Sequence, residues 1–234
     1  MNYELNLDGY AVVKNAIPMD CLTGLWLYAR DLLNIHSGSN RVDILKAMEE
    51  LEAADKKAFY RFCKELPETL PGKKIAALPK LLMIATWEIE GPVYNADCSV
   101  FFNKKGVDRL QCDWHSEADY FVNGNAITLW FPWLHEVNEE NGTMIMTRGS
   151  HLKELHETRE AVPNGLTQMR IPESDLTEFE KVPMNLRLGD AVLFLRKTVH
   201  RTGENKSGHP RTSIVVRYTD KTGKFNDGWQ RERH

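Results

Sequence analysis

The chain has 234 residues, a formal net charge of −3, and a composition that is 42% hydrophobic and 27% charged. This length fits one domain with a large core, and the composition is that of a folded globular protein. A slightly acidic chain without a long basic run is not expected to bind nucleic acid. The first residues lack a signal-peptide pattern and no apolar stretch is long enough to span a bilayer, so we expect a cytoplasmic protein without a membrane partner.

The first third of the chain has the pattern of helices. A turn at Asp8-Gly9 and the apolar run after it predict a short first strand, and Pro18 then opens a helix with apolar residues at helical spacing. Residues 42–66 are richer in charge and predict one or two amphipathic helices. A further short helix is expected around residues 75–85, begun or interrupted at Pro79.

From about residue 86 the pattern changes to short runs of β-branched and aromatic residues. The strongest strand candidates are 99–102, 126–131, 143–146, 191–195 and 212–218. Many short strands separated by turn residues predict a sandwich or jelly roll. Residues 150–181 lack clean periodicity and are expected to form a long excursion between strands. We expect one domain over residues 1–234, with a mostly helical part at about 18–85 packed on a β core at about 95–220.

The triplet His115-Ser116-Glu117 is the first candidate for a metal site. Side chains alternate faces along a strand, so His115 and Glu117 would point the same way. Two imidazoles and one carboxylate on one side of a divalent metal leave three coordination positions open, as in non-haem Fe(II) oxygenases. Such a triplet is expected about once by chance in a chain of this composition, so the rest of the sequence must support it.

The downstream half contains further candidates for this site. His200 follows the apolar run 191–195, and Arg211 opens the last strong strand. Strands distant in sequence lie side by side in a jelly roll, so His200 could complete a triad with His115 and Glu117. Arg211 could hold the far carboxylate of a dicarboxylic cosubstrate through a bidentate pair, and Thr202 could donate a hydroxyl hydrogen bond to it.

Several motifs occur in a characteristic order between residue 8 and about residue 219. They are Asp8-Gly9-Tyr10, Trp114-His115-Ser116-Glu117, Glu140-Asn141-Gly142-Thr143, Arg148-Gly149-Ser150-His151, Gly189-Asp190-Ala191-Val192-Leu193-Phe194, and His200 followed by Arg211. In this order the chain resembles the phytanoyl-CoA dioxygenase-like family of Fe(II)/2-oxoglutarate oxygenases. The resemblance implies an α+β protein whose all-β core is a double-stranded β-helix, the jelly-roll or cupin-like fold.

The resemblance also implies Fe(II) as the metal, with 2-oxoglutarate and O₂ as cosubstrates. The implied iron ligands are His115, Glu117 and His200. The implied cosubstrate residues are Arg211, Thr202 and Phe131, an aromatic residue similar in position to one that lines the pocket. The family usually has aspartate where this chain has Glu117, and the extra methylene changes the reach of the carboxylate rather than its charge.

Other residues near these motifs have less certain roles. Asp113 falls on the same predicted face as His115 and is expected either to steady a ligand histidine or to be a solvated turn residue. Asp119 is the other nearby acid that could serve as the carboxylate ligand. The candidates for substrate contact are Lys104, Tyr120, Trp133, Arg148 and Arg217, with core packing as the alternative for the aromatic ones. An arginine among them that points inward would favour an anionic substrate.

The leading hypothesis for function is an oxygenase that hydroxylates a small metabolite or natural-product intermediate and releases succinate and CO₂. A cupin-like metal-dependent isomerase or lyase is a rival from another enzyme class, and it would not need Arg211 and Thr202 at a cosubstrate pocket. A non-catalytic binding protein on the same fold is a third hypothesis. Keto-acid turnover and metal binding separate the three.

Overall fold

The computed structural model describes residues 2–37, 43–106, 112–118, 120–121, 124–161 and 167–223. Most of the helices precede the strands along the chain. The helices are α1 (Asn2–Asp8), α2 (Met19–Ser37), α3 (Ile44–Ala54), α4 (Lys56–Glu65), α5 (Leu70–Ala76) and α6 (Pro79–Ile89). The strands are β1 (Tyr10–Val13), β2 (Tyr94–Asn103), β3 (Ala126–Pro132), β4 (Met144–Thr147), β5 (Thr158–Ala161), β6 (Thr167–Arg170), β7 (Lys181–Pro183), β8 (Ala191–Leu195), β9 (His200–Thr202) and β10 (Arg211–Thr219).

The helices begin where the sequence provides start signals. Asp43 and Asp55 cap α3 and α4, since their carboxylates accept hydrogen bonds from Lys46 N and Ala58 N at 3.1 and 3.0 Å. Pro79 is the first residue of α6, where its missing N–H costs no helical hydrogen bond. These signals explain why three of the predicted helices begin where they do.

The strands form two main antiparallel sheets. The larger has the order β1-β8-β3-β10-β2, and the smaller has the order β7-β4-β9. A separate hairpin, β5-β6, lies within the predicted excursion. The two sheets face each other across a core that includes Trp130, Met146, Val192 and Val215. This arrangement, with helices on the outside, confirms the predicted jelly roll with flanking helices.

Alternation along β10 determines which side chains face the second sheet. Ile214, Val216 and Tyr218 pack in the core shared with the helices, whereas Val215 packs between the two sheets. Arg211 and Arg217 have the same parity as Val215 and line the same cavity between the sheets. The strand therefore presents two arginines to the interior on one face and an apolar stripe to the helices on the other.

Most of the predicted elements are confirmed, and six of the helices and strands named above were not anticipated. The predicted strand runs correspond to β2, β3, β4, β8 and β10. The unanticipated elements are α1, α5, β5, β6, β7 and β9, and these four strands are only three or four residues long, too short to give a clear pattern in the sequence. Among the described residues, no helix combines the length and the apolarity that crossing a bilayer requires.

Helix α2 packs against α3 and α5 and contributes to the core on the helix side of the larger sheet, and this packing generates a stability prediction. Leu25 is fully buried in the core on the helix side, whereas Leu27 on the same helix is 40% exposed. We expect Leu25→Ala to lower the free energy of unfolding by about 2–5 kcal/mol, because it leaves a cavity. Leu27→Ala should change it by less than about 0.5 kcal/mol. Urea denaturation measures both, and equal effects would contradict the packing described.

Candidate metal centre

The histidines His115 and His200 are brought together by the backbone. His115 N–H donates to the His200 carbonyl at 3.0 Å, and His200 N–H donates to the His115 carbonyl at 2.9 Å. This antiparallel bridge continues the smaller sheet beyond β9 and places the two ring centroids 4.3 Å apart. Both side chains are buried. The local fold thus fixes two imidazoles side by side on the inner face of the sheet.

Backbone carbonyls orient both rings. His115 Nδ1 lies 2.6 Å from the carbonyl oxygen of Asp113, and His200 Nδ1 lies 3.0 Å from that of Thr198. A carbonyl can only accept, so each Nδ1 carries the hydrogen and each Nε2 keeps its lone pair. Burial, followed by the neighbouring His115, lowers the pKa of His200 to about 3. A neutral ring with a free Nε2 lone pair is the form that binds a metal.

Glu117 supplies a carboxylate beside the two rings. Its N–H donates to the Arg196 carbonyl at 2.8 Å, and its side chain is 2% exposed. Glu117 Oε1 lies 3.8 Å from His200 Nε2, and the ligand atoms of the cluster all lie within 4.8 Å of one another. Burial raises the pKa of this carboxyl, but the charge and hydrogen bonds of Arg217, together with the two neighbouring histidines, hold the pKa below its usual range. Glu117 therefore stays ionised.

The donor set fits a divalent first-row metal. Two neutral imidazole nitrogens and one carboxylate oxygen converge within one cavity, the 2-His-1-carboxylate set that suits non-haem Fe(II). Arg217 donates to both oxygens of Glu117, yet a carboxylate has about four lone-pair sites, so Oε1 retains capacity for a metal. The residues present thus match the group that the sequence implied.

Arg211 lies in the wall of the same cavity, and no carboxylate of the described residues pairs with it. Its Nε donates to the Gly142 carbonyl at 3.1 Å and its Nη1 to Ser213 Oγ at 2.6 Å, while its guanidinium carbon lies 5.6 Å from the Trp130 ring centroid. Among the described residues it forms no ion pair, and burial lowers its pKa to about 10. A buried, unneutralised cation is costly and is a ready partner for an anionic ligand.

Thr202 lies in the cavity wall at the Arg211 end. It is two residues from His200 on β9, so both side chains fall on one face of that strand. The following residue, Gly203, donates its N–H to Thr143 at 2.8 Å, next to the Gly142 carbonyl that accepts from Arg211. The structure therefore brings together five of the six residues predicted to bind the metal or the cosubstrate: His115, Glu117, His200, Arg211 and Thr202.

The position expected for Phe131 needs correction. Phe131 is fully buried in the core between the larger sheet and the helices, and Trp130 lines the cavity in its place. The reason is the register of β3 on β10, where Phe131 pairs with Ile214 and Trp130 pairs with Val215. Neighbouring residues of a strand face opposite sides, so the aromatic wall comes from the residue before the predicted one.

Three of the five expected substrate contacts lie away from the cavity. Trp133 is buried in the core on the helix side. Lys104 pairs with Glu52 at 3.1 Å, outside the cavity wall. Arg148 is half-exposed and pairs with Glu180 at 3.2 Å. These side chains pack or pair at other places because each faces away from the space between the sheets.

The remaining two expected contacts, Tyr120 and Arg217, do line the cavity. The Tyr120 ring meets the His115 ring edge-on, with centroids 6.2 Å apart. Arg217 points inward, but it pairs with Glu117 and with Asp97, so its charge is already neutralised. The expectation that an inward arginine would attract an anionic substrate therefore does not hold for Arg217.

The acids near the triplet have different roles. The Asp113 carbonyl, rather than its carboxylate, orients His115. The Asp113 carboxylate accepts from Trp114 N at 2.8 Å and pairs with Arg170. Asp119 lies outside the described residues. Asp97 was missed by the sequence analysis, although it is an acid on the same face of β2 as Ser99 and directly opposite Arg217.

Comparisons with solved structures show the fold. The epimerase SnoN in complex with Fe³⁺, alpha-ketoglutarate and nogalamycin RO has a TM-score of 0.67 at 21% identity, over 97% of this chain and 84% of its own. The alpha-ketoglutarate-dependent carbocyclase SnoK from nogalamycin biosynthesis has a TM-score of 0.66 at 17% identity, over 98% and 87%. EctD from S. alaskensis, with 2-oxoglutarate and 5-hydroxyectoine, has a TM-score of 0.64 at 19% identity, over 93% and 74%.

Comparison with sequence families shows the relationship. No curated protein sequence matches the chain significantly. The sequence profile of the phytanoyl-CoA dioxygenase (PhyH) family matches residues 5–213, which include the histidine and carboxylate cluster and Arg211. Because this match covers most of the chain, the protein belongs to the phytanoyl-CoA dioxygenase family.

Proposed function

We propose that this protein is an Fe(II)- and 2-oxoglutarate-dependent oxygenase that hydroxylates a small molecule. The observation that carries the proposal is that one cavity contains both the His115, Glu117 and His200 cluster and Arg211, a buried cation without an acidic partner in the described parts of the chain. A metal alone would use the cluster but would give Arg211 no role. A dicarboxylic cosubstrate would contact both the metal held by the cluster and the guanidinium of Arg211.

The spacing along β9 supports a cosubstrate of this size. His200 and Thr202 lie two residues apart on one strand face, which separates their Cα atoms by about 7 Å. Arg211 lies at the Thr202 end, where it donates to Gly142. A five-carbon dicarboxylate can therefore extend from the metal ligands to the guanidinium. Thr202 can donate its hydroxyl hydrogen to the same carboxylate that Arg211 binds.

The protein's own residues hold and orient the reactants. When bound, Fe(II) and 2-oxoglutarate supply the oxidising chemistry, with succinate and CO₂ as co-products. His115 and His200 act as neutral ligands whose orientation is fixed by backbone carbonyls, and Glu117 adds one negative charge. The apolar side chains of Trp130, Phe194 and Val215 line the space between the sheets and lower its polarity.

The solved neighbours support small-molecule chemistry but differ in outcome. They include an epimerase, a carbocyclase and a protein described as a non-heme monooxygenase. Two of them were solved with a natural product or with 5-hydroxyectoine. We propose hydroxylation for this chain because it needs only oxygen transfer to the substrate and no further catalytic group from the protein.

The first prediction concerns cosubstrate binding. Anaerobic titration of the Fe(II)-loaded protein with 2-oxoglutarate should produce the weak visible charge-transfer band of the chelate. His115→Ala should lose the band because a ligand is removed. Arg211→Ala should weaken 2-oxoglutarate binding roughly 10- to 100-fold, because the affinity contributed by a hydrogen bond between charged groups is lost. Arg148→Ala, which removes an arginine outside the cavity, should leave the titration unchanged.

Two outcomes of this titration would contradict the proposal. Wild-type protein that holds iron but gives no band and binds no 2-oxoglutarate would favour the metal-dependent isomerase or lyase. Wild-type protein that holds no metal would favour a non-catalytic binding protein.

The second prediction concerns the reaction outcome. A screen of small metabolites under ¹⁸O₂, read by mass spectrometry, should yield a product that carries one ¹⁸O atom and depends on 2-oxoglutarate. Turnover that consumes 2-oxoglutarate and gives an unlabelled isomer or ring-closed product would keep the oxygenase-type chemistry and reject hydroxylation. CoA esters belong in the screen as the alternative substrate class.

The third prediction concerns acid stability of the metal-free protein. An unfolded histidine titrates near pH 6.5, whereas burial lowers the pKa of folded His200 to about 3. Between these values the unfolded chain binds a proton that the folded chain does not, so stability falls as the pH falls, by up to about 1.4 kcal/mol per pH unit. His200→Gln should have a shallower slope from pH 6.5 downwards. Urea denaturation at several pH values measures it, and equal slopes would refute the role of His200.

A further inference from the structure

Arg217 donates hydrogen bonds to both carboxylate oxygens of Glu117. Its Nε donates to Oε2 at 2.7 Å and its Nη2 donates to Oε1 at 3.1 Å. Its Nη1 donates in the other direction, to Asp97 Oδ2 at 2.8 Å. Both Glu117 and Arg217 are buried, so this contact is formed away from solvent. The guanidinium is thus held at three points in a planar fork that lysine could not reproduce.

The two oxygens of Glu117 are placed differently. Oε1 is 3.8 Å from His200 Nε2 and belongs to the side that faces the histidines. Oε2 accepts the shorter of the two hydrogen bonds from Arg217. A carboxylate can bind a metal through one oxygen or through both, and the second mode uses an additional coordination position. The hydrogen bond from Arg217 Nε favours the mode that uses Oε1 alone.

We infer that Arg217 is a positioning residue that fixes Glu117 as a one-oxygen metal ligand and so keeps the other coordination positions open. This inference rests on the proposed metal site. Glutamate has one more rotatable bond than the aspartate usual in the family, so its carboxylate has more orientations to lose on binding. The two hydrogen bonds from Arg217 fix the orientation of the Glu117 carboxylate in the metal-free protein.

Residues behind Arg217 hold it in place. Asp97 lies directly opposite Arg217 in the pairing of β2 with β10. Ser99 Oγ donates to Asp97 Oδ2 at 3.1 Å, and Lys64 of α4 approaches Asp97 Oδ1 at 3.4 Å and Ser99 Oγ at 3.0 Å. Charges alternate from Glu117 through Arg217 and Asp97 to Lys64. Such outer hydrogen-bonding partners orient metal ligands and tune affinity in other metal sites.

The test compares metal binding with fold stability, since a purely structural ion pair would affect only the second. Co(II) replaces iron as an air-stable probe whose visible d–d spectrum reports ligand geometry. We expect Arg217→Gln to weaken Co(II) binding about 10- to 100-fold and to change the spectrum. Arg217→Lys should give an intermediate affinity. Lys104→Met removes a cation paired with Glu52 outside the cavity and should alter stability without altering affinity or spectrum.

A second variant tests the inference without changing Arg217. Glu117→Asp introduces the residue usual in the family, but its side chain is one methylene shorter, so the carboxylate lies farther from the Arg217 guanidinium. We expect it to bind Co(II) at least about 10-fold more weakly than wild type. In the Arg217→Gln background the same change should cost less than about 3-fold, because the interaction it disrupts is already absent. Circular dichroism and thermal unfolding of the metal-free variants establish that they are folded, and Arg217→Lys replaces Arg217→Gln in both comparisons should the latter not fold.

The outcomes separate this inference from the proposed function. Wild-type binding of Co(II) with unchanged affinity and spectrum in Arg217→Gln and Arg217→Lys would overturn the inference alone, and so would Glu117→Asp protein that binds as tightly as wild type. Failure of the wild type to bind Co(II), Fe(II) or Mn(II) would remove the proposed function and this inference together.

Discussion

The pair of backbone hydrogen bonds between His115 and His200 is the interaction on which the candidate metal centre depends. The two histidines lie far apart in sequence, and neither belongs to a long strand. Their mutual bridge fixes both backbones, and a carbonyl two residues before each histidine fixes its ring. Side-chain packing alone would leave the rings free to rotate. Backbone pairing makes the ligand geometry as rigid as the sheet that carries it.

The sequence was sufficient for the fold class and for the identity of the clustered residues, because these depend on patterns local to each segment. The strand predicted over His115 and Glu117 is absent, since this segment has only an isolated bridge at His115, yet the two side chains do converge. The resemblance to the family supplied His200 and Arg211 as their downstream partners. Register between strands was not available from the sequence. The misplacement of Phe131 relative to Trp130 and the missed contact of Asp97 with Arg217 both arise from pairing with β10. A shift of one residue in register exchanges the two faces of a strand.

Two arginines on one face of the same strand have opposite electrostatic situations. Arg217 is neutralised by Glu117 and Asp97, whereas Arg211 interacts with a carbonyl, a hydroxyl and an aromatic ring. Residue type and orientation are equal for both, and the difference comes from the neighbouring strands. Acidic side chains on β2 and after His115 surround one end of β10, and the loop carbonyl of Gly142 lies at the other. Among the described residues of the cavity, the arginine without an acidic partner therefore lies at one end.

The ion pair between Glu117 and Arg217 also affects how strongly folding of the protein depends on iron. In zinc fingers the uncompensated ligands keep the chain unfolded until the metal binds. Here the ligand carboxylate already has a partner, and the ligand histidines are neutral with hydrogen-bonded rings. The fold therefore does not need a metal to neutralise the buried carboxylate. We accordingly expect iron scarcity to leave folded protein that can take up the metal again.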